Sequence, residues 1–221
     1  MPCRLQPGFW IAAAVLCLPA IAAAQSQRVS DLRVGKVLVA PRNAPDPAFA
    51  ESVILLAQFD KNGALGLMIN HRTRVPLSRV LEQLKAANNR SDPVYLGGPV
   101  ELEAVMALLK SSAAPEKAPP VMPGIYLIST RSTLEKALTA GAAPGDFHVY
   151  VGYCGWSSGQ LENEVKLGGW YVFAGDAGLI FDSEPGSLWS RLIEQTEQRF
   201  AGTPPPLVNA IGNSRMPVMA R

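Results

Sequence analysis

Two long apolar runs on either side of a short polar turn constrain the fold more than any other feature of this sequence. Residues 52–59 and 64–70 are almost continuously apolar and compatible with β-structure, and Asp60-Lys61-Asn62-Gly63 lies between them. An Asn-Gly pair between two such runs is the strongest short-range indication of a β-hairpin. Because the apolar residues are continuous rather than alternating, we predict a hairpin that is covered on both faces.

The rest of the chain alternates irregularly between strand-like and helix-like segments. Further strands are predicted at residues 35–40, 94–97, 124–129, 147–153, 170–174 and 179–182. Apolar residues at helical spacing predict helices at residues 76–87, 99–110, 132–140, 157–167 and 187–200. Residues 111–123 are poor in anything but Ala, Pro and Lys and are predicted to form a surface loop. Irregular alternation around an antiparallel hairpin favours one α+β domain with a mixed sheet, over residues 30–200.

The N-terminus has the three-part pattern of a secretory signal peptide. One positive charge at Arg4 precedes residues 9–24, which are apolar and uncharged and end in Ala22-Ala23-Ala24. This stretch is shorter than the roughly 20 residues that a membrane-spanning helix needs. We therefore expect cleavage after Ala24, a periplasmic or secreted protein and no membrane span in the mature chain. An uncleaved membrane anchor and a cytoplasmic protein are the alternatives, and residues 201–221 are predicted to form an extended or disordered tail.

Cleavage would leave Cys154 as the cysteine of the mature chain, because Cys3 and Cys17 belong to the predicted signal. A lone cysteine forms no internal disulfide. Cys154 lies between a predicted strand and a predicted helix whose N-terminal amides could lower its pKa, so it is a candidate reactive thiol. A base would be needed, but His148 is about 20 Å away along the strand, and His71 could help only if the fold brings it close. A small buried residue in a tight turn is the favoured interpretation.

Charge and motif spacing argue against several classes of site. A net charge of +2 provides no broad electrostatic footprint for nucleic acid. The histidines and carboxylates show no metal-ligand spacing. Gly152, Gly155 and Gly159 precede a predicted helix as in an anion-binding loop, but they match neither a P-loop nor a dinucleotide fingerprint. We therefore predict neither a metal nor a cofactor.

Several motifs, in order along the chain, resemble the YqgE/AlgH family. They include residues 35–40 and 63–70 and the run Tyr95-Leu96-Gly97-Gly98-Pro99-Val100. The most specific is Gly152-Tyr153-Cys154-Gly155-Trp156-x-x-Gly159-Gln160-Leu161-Glu162-x-Glu164, which is followed by Gly169-Trp170. The resemblance spans most of the chain from about residue 32 to residue 196. It implies an α+β fold in which a coiled, bifurcated sheet surrounds core helices.

The resemblance implies no defined activity. The family's biochemical function is unsettled, and some members carry a transcriptional-regulator label through alginate control. The positions that match its most typical motifs are our candidate binding residues, and none brings a catalytic role: Asn70, Gly97, Gly98, Pro99, Tyr153, Gly155, Trp156, Gly159, Gln160 and Glu162.

This chain also departs from the family pattern. Members are usually cytoplasmic, whereas this sequence opens with an export signal, and Cys154 replaces another small residue. The segment between Pro99 and Gly124 differs as well. The leading hypothesis is an exported, non-enzymatic binding or regulatory protein, with an unknown small molecule or protein bound in a groove near residues 97–99 and 153–162. The alternatives are a thiol-dependent enzyme or redox sensor that uses Cys154, and a cytoplasmic transcriptional regulator if the N-terminus is not a signal.

Overall fold

The computed structural model describes the backbone of residues 29–200 and the side chains of residues 29–198. The predicted signal peptide and the predicted C-terminal tail lie outside the described residues. The strands are β1 (Lys36–Val39), β2 (Val53–Asp60), β3 (Gly63–Met68), β4 (Arg72–Pro76), β5 (Pro93–Leu96), β6 (Val100–Lys110), β7 (Pro120–Met122), β8 (Ile125–Ile128), β9 (Phe147–Ser157) and β10 (Tyr171–Ala174). The α-helices are α1 (Leu77–Val80), α2 (Arg131–Thr139), α3 (Gln160–Lys166), α4 (Ala177–Ile180) and α5 (Leu188–Phe200). Short 3-10 helices lie at Pro47–Phe49, Lys85–Ala87 and Pro185–Ser187.

The predicted hairpin is confirmed as β2 and β3. The two strands pair antiparallel from Ile54↔Met68 to Asp60↔Gly63. The backbone N–H of Asn62 donates to Asp60 Oδ1 at 2.7 Å, which closes the turn. Leu55 and Ile54 pack into two different cores on opposite faces of the strand, so both faces are covered as the continuous apolar run predicts.

Three buried cores lie against the sheet. The central core contains residues from both halves of the sheet and from α5, including Val37, Leu55, Tyr150 and Leu192. The α2 core contains Phe147, Val149 and Leu134 of α2. The α3 core contains Leu38, Ile54, Cys154, Trp156 and Leu161 of α3.

Strand β9 is the point at which the sheet divides. One of its edges pairs with β6, from Leu109↔Phe147 to Val100↔Tyr153. Its other edge pairs first with β5 in parallel, through Tyr95↔Tyr150, and then with β3 in antiparallel, through Gly66↔Cys154. One branch continues to β2, β1 and β10, and the other continues to β4. The predicted α+β domain with a mixed, bifurcated sheet is therefore confirmed, and we call the branch point, residues 97–102 and 151–155, the fork.

A glycine at the fork changes which face each β9 side chain occupies. Strict alternation would place residues 150, 152 and 154 on the same face. Tyr150 does lie in the central core, but Tyr153 also packs against that core, whereas Cys154 lies in the α3 core. Gly152, with φ +69°, absorbs this one-residue shift. The same strand can therefore contribute to two cores that lie on opposite sides of the sheet.

The predicted helix at residues 99–110 is wrong, because this segment is strand β6. It lies between β8 and β9, pairing through Leu108↔Leu127 and Leu108↔His148. Leu108 is buried in the central core and Ala107 in the α2 core, so apolar residues are required on both faces. This two-sided burial produces apolar positions that mimic helical spacing, and pairing with two neighbouring strands overrides it.

The predicted helix at residues 76–87 is interrupted. Residues up to Pro76 form β4, and only Leu77–Val80 and Lys85–Ala87 are helical. The N–H groups of Leu77 and Ser78 donate to the carbonyls of Asp92 and Arg90, at 2.9 and 3.1 Å. These bonds fix the segment against the chain that leads into β5.

The prediction at residues 179–182 is also wrong, because this segment belongs to helix α4 and its C-terminal end rather than to a strand. Asp176 caps α4, since its Oδ1 accepts from the Leu179 N–H at 2.9 Å. The predicted loop at residues 111–123 contains the short strand β7. The remaining predicted elements are present within a few residues, although β9 extends to Ser157 and α3 starts only at Gln160.

We expect Gly152→Ala to destabilise the protein much more than Gly141→Ala. Both glycines have positive φ, +69° and +78°, but an added Cβ would lie 2.4 Å from Gly98 O at position 152 and would meet nothing within 4 Å at position 141. Gly141→Ala should therefore cost only the backbone strain, ~1 kcal/mol, and Gly152→Ala ~3 kcal/mol or more. Urea unfolding measures both free energies, and equal losses would show that the close approach at the fork contributes nothing.

Candidate functional site

The candidate residues Gly97 and Gly98 lie where the two branches of the sheet meet β9. The Gly97 N–H donates to Val151 O, and its carbonyl accepts from the Met68 N–H, both at 2.8 Å. A Cβ added at Gly97 would lie 2.3 Å from Gly152 O, and one added at Gly98 would lie 2.2 Å from Tyr153 C. Both glycines therefore permit a close backbone approach that no larger residue allows.

The exposed part of the fork is a small patch beside these glycines. The Tyr153 hydroxyl donates to Glu101 Oε1 at 3.1 Å, and desolvation together with this contact raises the pKa of Tyr153. Leu102 is 59% exposed, although its side chain reaches toward Gly152. Pro99 and Gly155 are exposed as well. We call this patch, made of Pro99, Glu101, Leu102, Tyr153 and Gly155, the fork surface.

Cys154 lies beneath the fork rather than on its surface. Its relative exposure is 0%, its Sγ is 3.5 Å from Gly97 O, and burial strongly raises the pKa of the thiol. His148 stacks on Tyr95, which lies in the central core, whereas Cys154 lies in the α3 core. Burial therefore opposes a thiolate, and His148 does not serve as its base.

We expect iodoacetamide to alkylate Cys154 in the folded protein no faster than global opening of the fold permits. The raised pKa leaves almost no thiolate at neutral pH, and burial blocks access. The measurement is the mass increase of the folded chain with time at pH 8, compared with the same chain in urea. A folded rate close to the urea rate would revive the thiol hypothesis.

The candidate residues Trp156 and Gln160 belong to an internal hydrogen-bond network centred on Glu164. The carboxylate of Glu164 accepts from Trp156 Nε1 at 2.9 Å, from Trp170 Nε1 at 2.8 Å and from Gln160 Nε2 at 3.0 Å. The two indole rings meet edge to face with centroids 6.1 Å apart. Glu164 was missing from our candidate residues, although its spacing of four from Gln160 places both on one helix face. The network joins β9, α3 and the start of β10.

The remaining candidates in this motif shape the start of α3. Gln160 Oε1 accepts from the backbone N–H and the hydroxyl of Ser157, both at 3.1 Å, which joins the first residue of the helix to the end of β9. Gly159 immediately precedes the helix with φ +74°. Glu162 lies half-buried in the first turn, where a negative charge is favourable.

The candidate Asn70 joins the end of the hairpin to the chain before it. It is 7% exposed, its Oδ1 accepts from the Val53 N–H, and its Nδ2 donates to Glu51 O, both at 2.8 Å. Both ends of the amide are thus used inside the protein. Asn70, Gly97, Gly98, Trp156 and Gln160 have clear structural roles. Among the other candidates, Pro99, Gly155 and Gly159 are exposed, and Tyr153 and Glu162 are half-buried.

A second cluster was not predicted from the sequence. His148 and Tyr150 both contact the Tyr95 ring, with centroids 4.7 and 5.4 Å apart, and His148 also contacts Phe181 at 4.8 Å. The pKa of His148 is lowered to about 4. Burial is the largest cause, and nearby Arg72 makes a smaller contribution in the same direction. We call His148, Tyr150, Tyr95 and Phe181 the aromatic cluster. The sequence gives one indication of this cluster, because His148 and Tyr150 are two residues apart on a predicted strand and therefore lie on the same face.

We expect His148 to make the fold less stable as the pH falls from about 6.5 to about 4. The unfolded chain binds the proton near pH 6.5 and the folded chain only near pH 4, so between these values the unfolded state gains protons first. The difference corresponds to ~3 kcal/mol that is present above pH 6.5 and lost at pH 4. Urea unfolding at both pH values, for wild type and His148→Asn, measures this effect. His71→Asn is the control variant for the other histidine, and an unchanged pH dependence in His148→Asn would contradict the prediction.

The described residues place further limits on the kind of site. Residues 29–198 contain no group of three His, Cys, Asp or Glu side chains that could hold a metal ion. Over the part of the chain that the structure describes, no helix is long and apolar enough to cross a membrane. A cavity of about 380 Å³ lies next to the fork surface, because Glu103, which follows Leu102, is one of its lining residues. Its walls also include Val80, Leu84, Val105 and Arg131.

Comparison with known proteins identifies the family of this chain. The AlgH-like family model matches residues 37–201, which include β9 and the glycines at positions 97, 98 and 152. The chain belongs to the AlgH-like family. A UPF0301 protein of Xanthomonas campestris pv. campestris is 34% identical over 158 residues, covering 70% of this chain and 84% of the relative. A UPF0301 protein of Chlamydia pneumoniae is 29% identical over 170 residues, covering 77% and 90%.

Solved structures agree with this AlgH-like fold. The solution structure of the AlgH protein from Pseudomonas aeruginosa is 27% identical, covers 82% of this chain and 95% of its own, and has a TM-score of 0.59. A crystal structure of a protein from Corynebacterium diphtheriae has a TM-score of 0.64 over 80% of this chain and 91% of its own, and at 18% identity it shows the fold alone. None of these names states an activity.

Proposed function

We propose that this AlgH-like chain is an exported, non-enzymatic binding protein whose fork surface contacts another protein. The observation that carries the proposal is the 59% exposure of Leu102 directly over the glycine-lined branch point of the sheet. An isolated exposed leucine is common on protein surfaces. At the fork, however, it lies over Gly152 and directly follows Glu101, whose carboxylate bonds to Tyr153.

The backbone around Leu102 departs from regular strand pairing. The β6–β9 register is irregular between Val100 and Val105, so residues 101–104 bulge away from regular pairing. Glu101 has φ +44°, which is uncommon for a residue with a side chain, and its carboxylate accepts from Tyr153. Irregular strand conformations of this kind are typical of functional surfaces.

The composition of the fork surface favours a protein partner. Tyrosine and exposed leucine provide apolar contact area, and tyrosine is enriched among the residues that dominate binding energies. Glu101 and Glu103 are exposed on either side of Leu102, which favours basic residues at the rim of the partner's surface. The buried thiol, with its raised pKa, favours binding over covalent chemistry at this site.

Export is supported by the sequence. Residues 9–24 are apolar and uncharged and end in three alanines before Gln25. A protein outside the cytoplasm that binds another protein agrees with the near-neutral net charge of +2 better than direct regulation on DNA. A cytoplasmic regulator is the alternative that the export measurement below distinguishes.

We expect a photo-crosslinking residue at position 102 to capture a specific partner in the native cell, and the same residue at position 167 to capture none. Leu167 is the matched control because it is also an exposed leucine, at 64%, but lies at the end of α3. With the identified partner purified, Leu102→Ser should weaken the complex about tenfold, whereas Leu167→Ser should leave affinity within about twofold. Both side chains are exposed, so thermal melting should confirm an unchanged fold.

The same cells test export. Intact mass of the protein from the exported fraction should correspond to a chain that starts at Gln25. An uncleaved chain in the cytoplasm would contradict export. The fork surface would be contradicted as the binding site if the same partner were crosslinked in equal yield at positions 102 and 167. Equal affinity losses in the two serine variants would also contradict it.

A further inference from the structure

Two polar atoms in the aromatic cluster are buried and lack partners among the described residues. His148 Nδ1 and the Tyr150 hydroxyl have no hydrogen-bond partner among residues 29–198. Tyr150 is 0% exposed. Buried polar atoms in native proteins are nearly always hydrogen-bonded, and leaving one unsatisfied costs about 1–3 kcal/mol. This pair therefore calls for a partner that residues 29–198 do not supply.

The tautomer of His148 defines what that partner must do. The backbone of Ile180 acts on the imidazole, and because Nδ1 has no partner we assign this interaction to Nε2. The ring is neutral at pH 7, so Nε2 carries the proton and Nδ1 is an acceptor. The missing partner must donate to Nδ1, while the Tyr150 hydroxyl has a proton to give.

The two side chains lie on the same face of one strand. His148 and Tyr150 are two residues apart on β9, which separates their Cα atoms by about 7 Å along the strand. Both rings pack against Tyr95, so they lie on the same side of the sheet. A single oxygen between the side chains can accept from one and donate to the other.

We propose that the aromatic cluster is a binding site for one small neutral hydroxyl compound, water or a small alcohol, that bridges His148 Nδ1 and the Tyr150 hydroxyl. A fully deprotonated anion cannot donate to Nδ1, and an ammonium group cannot accept from Tyr150. A buried ion without a counter-charge would also be costly. This site shares no residue with the fork surface, so its test does not depend on the proposed function.

Phe181 connects the aromatic cluster to a cavity at its edge. It contacts the His148 ring, and it lines an open cavity of about 520 Å³ together with Asp182, Ser187 and Arg191. We therefore expect a small molecule to reach the imidazole by displacing the Phe181 ring.

The direct test is a crystal structure of the mature protein at high resolution. We expect a density peak about 2.7–3.1 Å from both His148 Nδ1 and the Tyr150 hydroxyl. Mass analysis of what the unfolded protein releases separates the two sources, since a stoichiometric alcohol identifies an organic ligand and its absence identifies water. A direct Tyr150–His148 hydrogen bond, or no density between the two atoms, would overturn the proposal.

Tyr150→Phe provides a second test that does not need crystals. If a bound hydroxyl compound satisfies Tyr150, removing its hydroxyl should lower the melting temperature by about 3 °C. If the hydroxyl is unsatisfied, its removal should leave the melting temperature unchanged or raise it, which would contradict the proposal. Tyr126→Phe is the matched control, because Tyr126 is half-buried on β8 and lies outside the aromatic cluster.

Discussion

The structure depends on a close backbone contact between a glycine pair and one long strand. The chain leaves β5 on one edge of β9 and enters β6 on the other edge, so residues 97–99 must cross very near to the β9 backbone. Gly97 makes this possible, since its N–H bonds to Val151 of β9 and its carbonyl to Met68 of β3. Gly98 continues along the backbone of Tyr153, where any Cβ would collide. A larger side chain at either position would collide with the β9 backbone.

The motif that marks the family is largely the set of residues that builds this contact. Gly97, Gly98 and Gly152 bring the backbones together, and Glu164 fastens the end of β9 to α3 through Trp156. A resemblance based on such residues predicts the fold because they make the fold. It predicts activity poorly, because a residue whose atoms are already bonded inside the protein has few left for a ligand.

The sequence predicted those parts of the structure that depend on neighbouring residues. The β2–β3 hairpin follows from an Asn-Gly turn, and α3 ends where Gly168 and Gly169 donate to the carbonyls of Val165 and Glu164. Strand β6 was mistaken for a helix because burial on both faces removes the alternation that marks a strand. The aromatic cluster was missed for a related reason, since its members come from β5, β9 and the end of α4, and only the fold brings them together.

Gly152 also determines where the aromatic cluster and the fork surface lie relative to each other. Without the one-residue shift, Tyr153 would lie on the opposite face from Tyr150, and Cys154 would take its place beside the central core. With the shift, Tyr150 is fully buried while Tyr153, three residues later, reaches the solvent beside Leu102. The same shift turns the thiol of Cys154 into the α3 core and away from His148. One left-handed glycine therefore separates the aromatic cluster from the fork surface on a single strand.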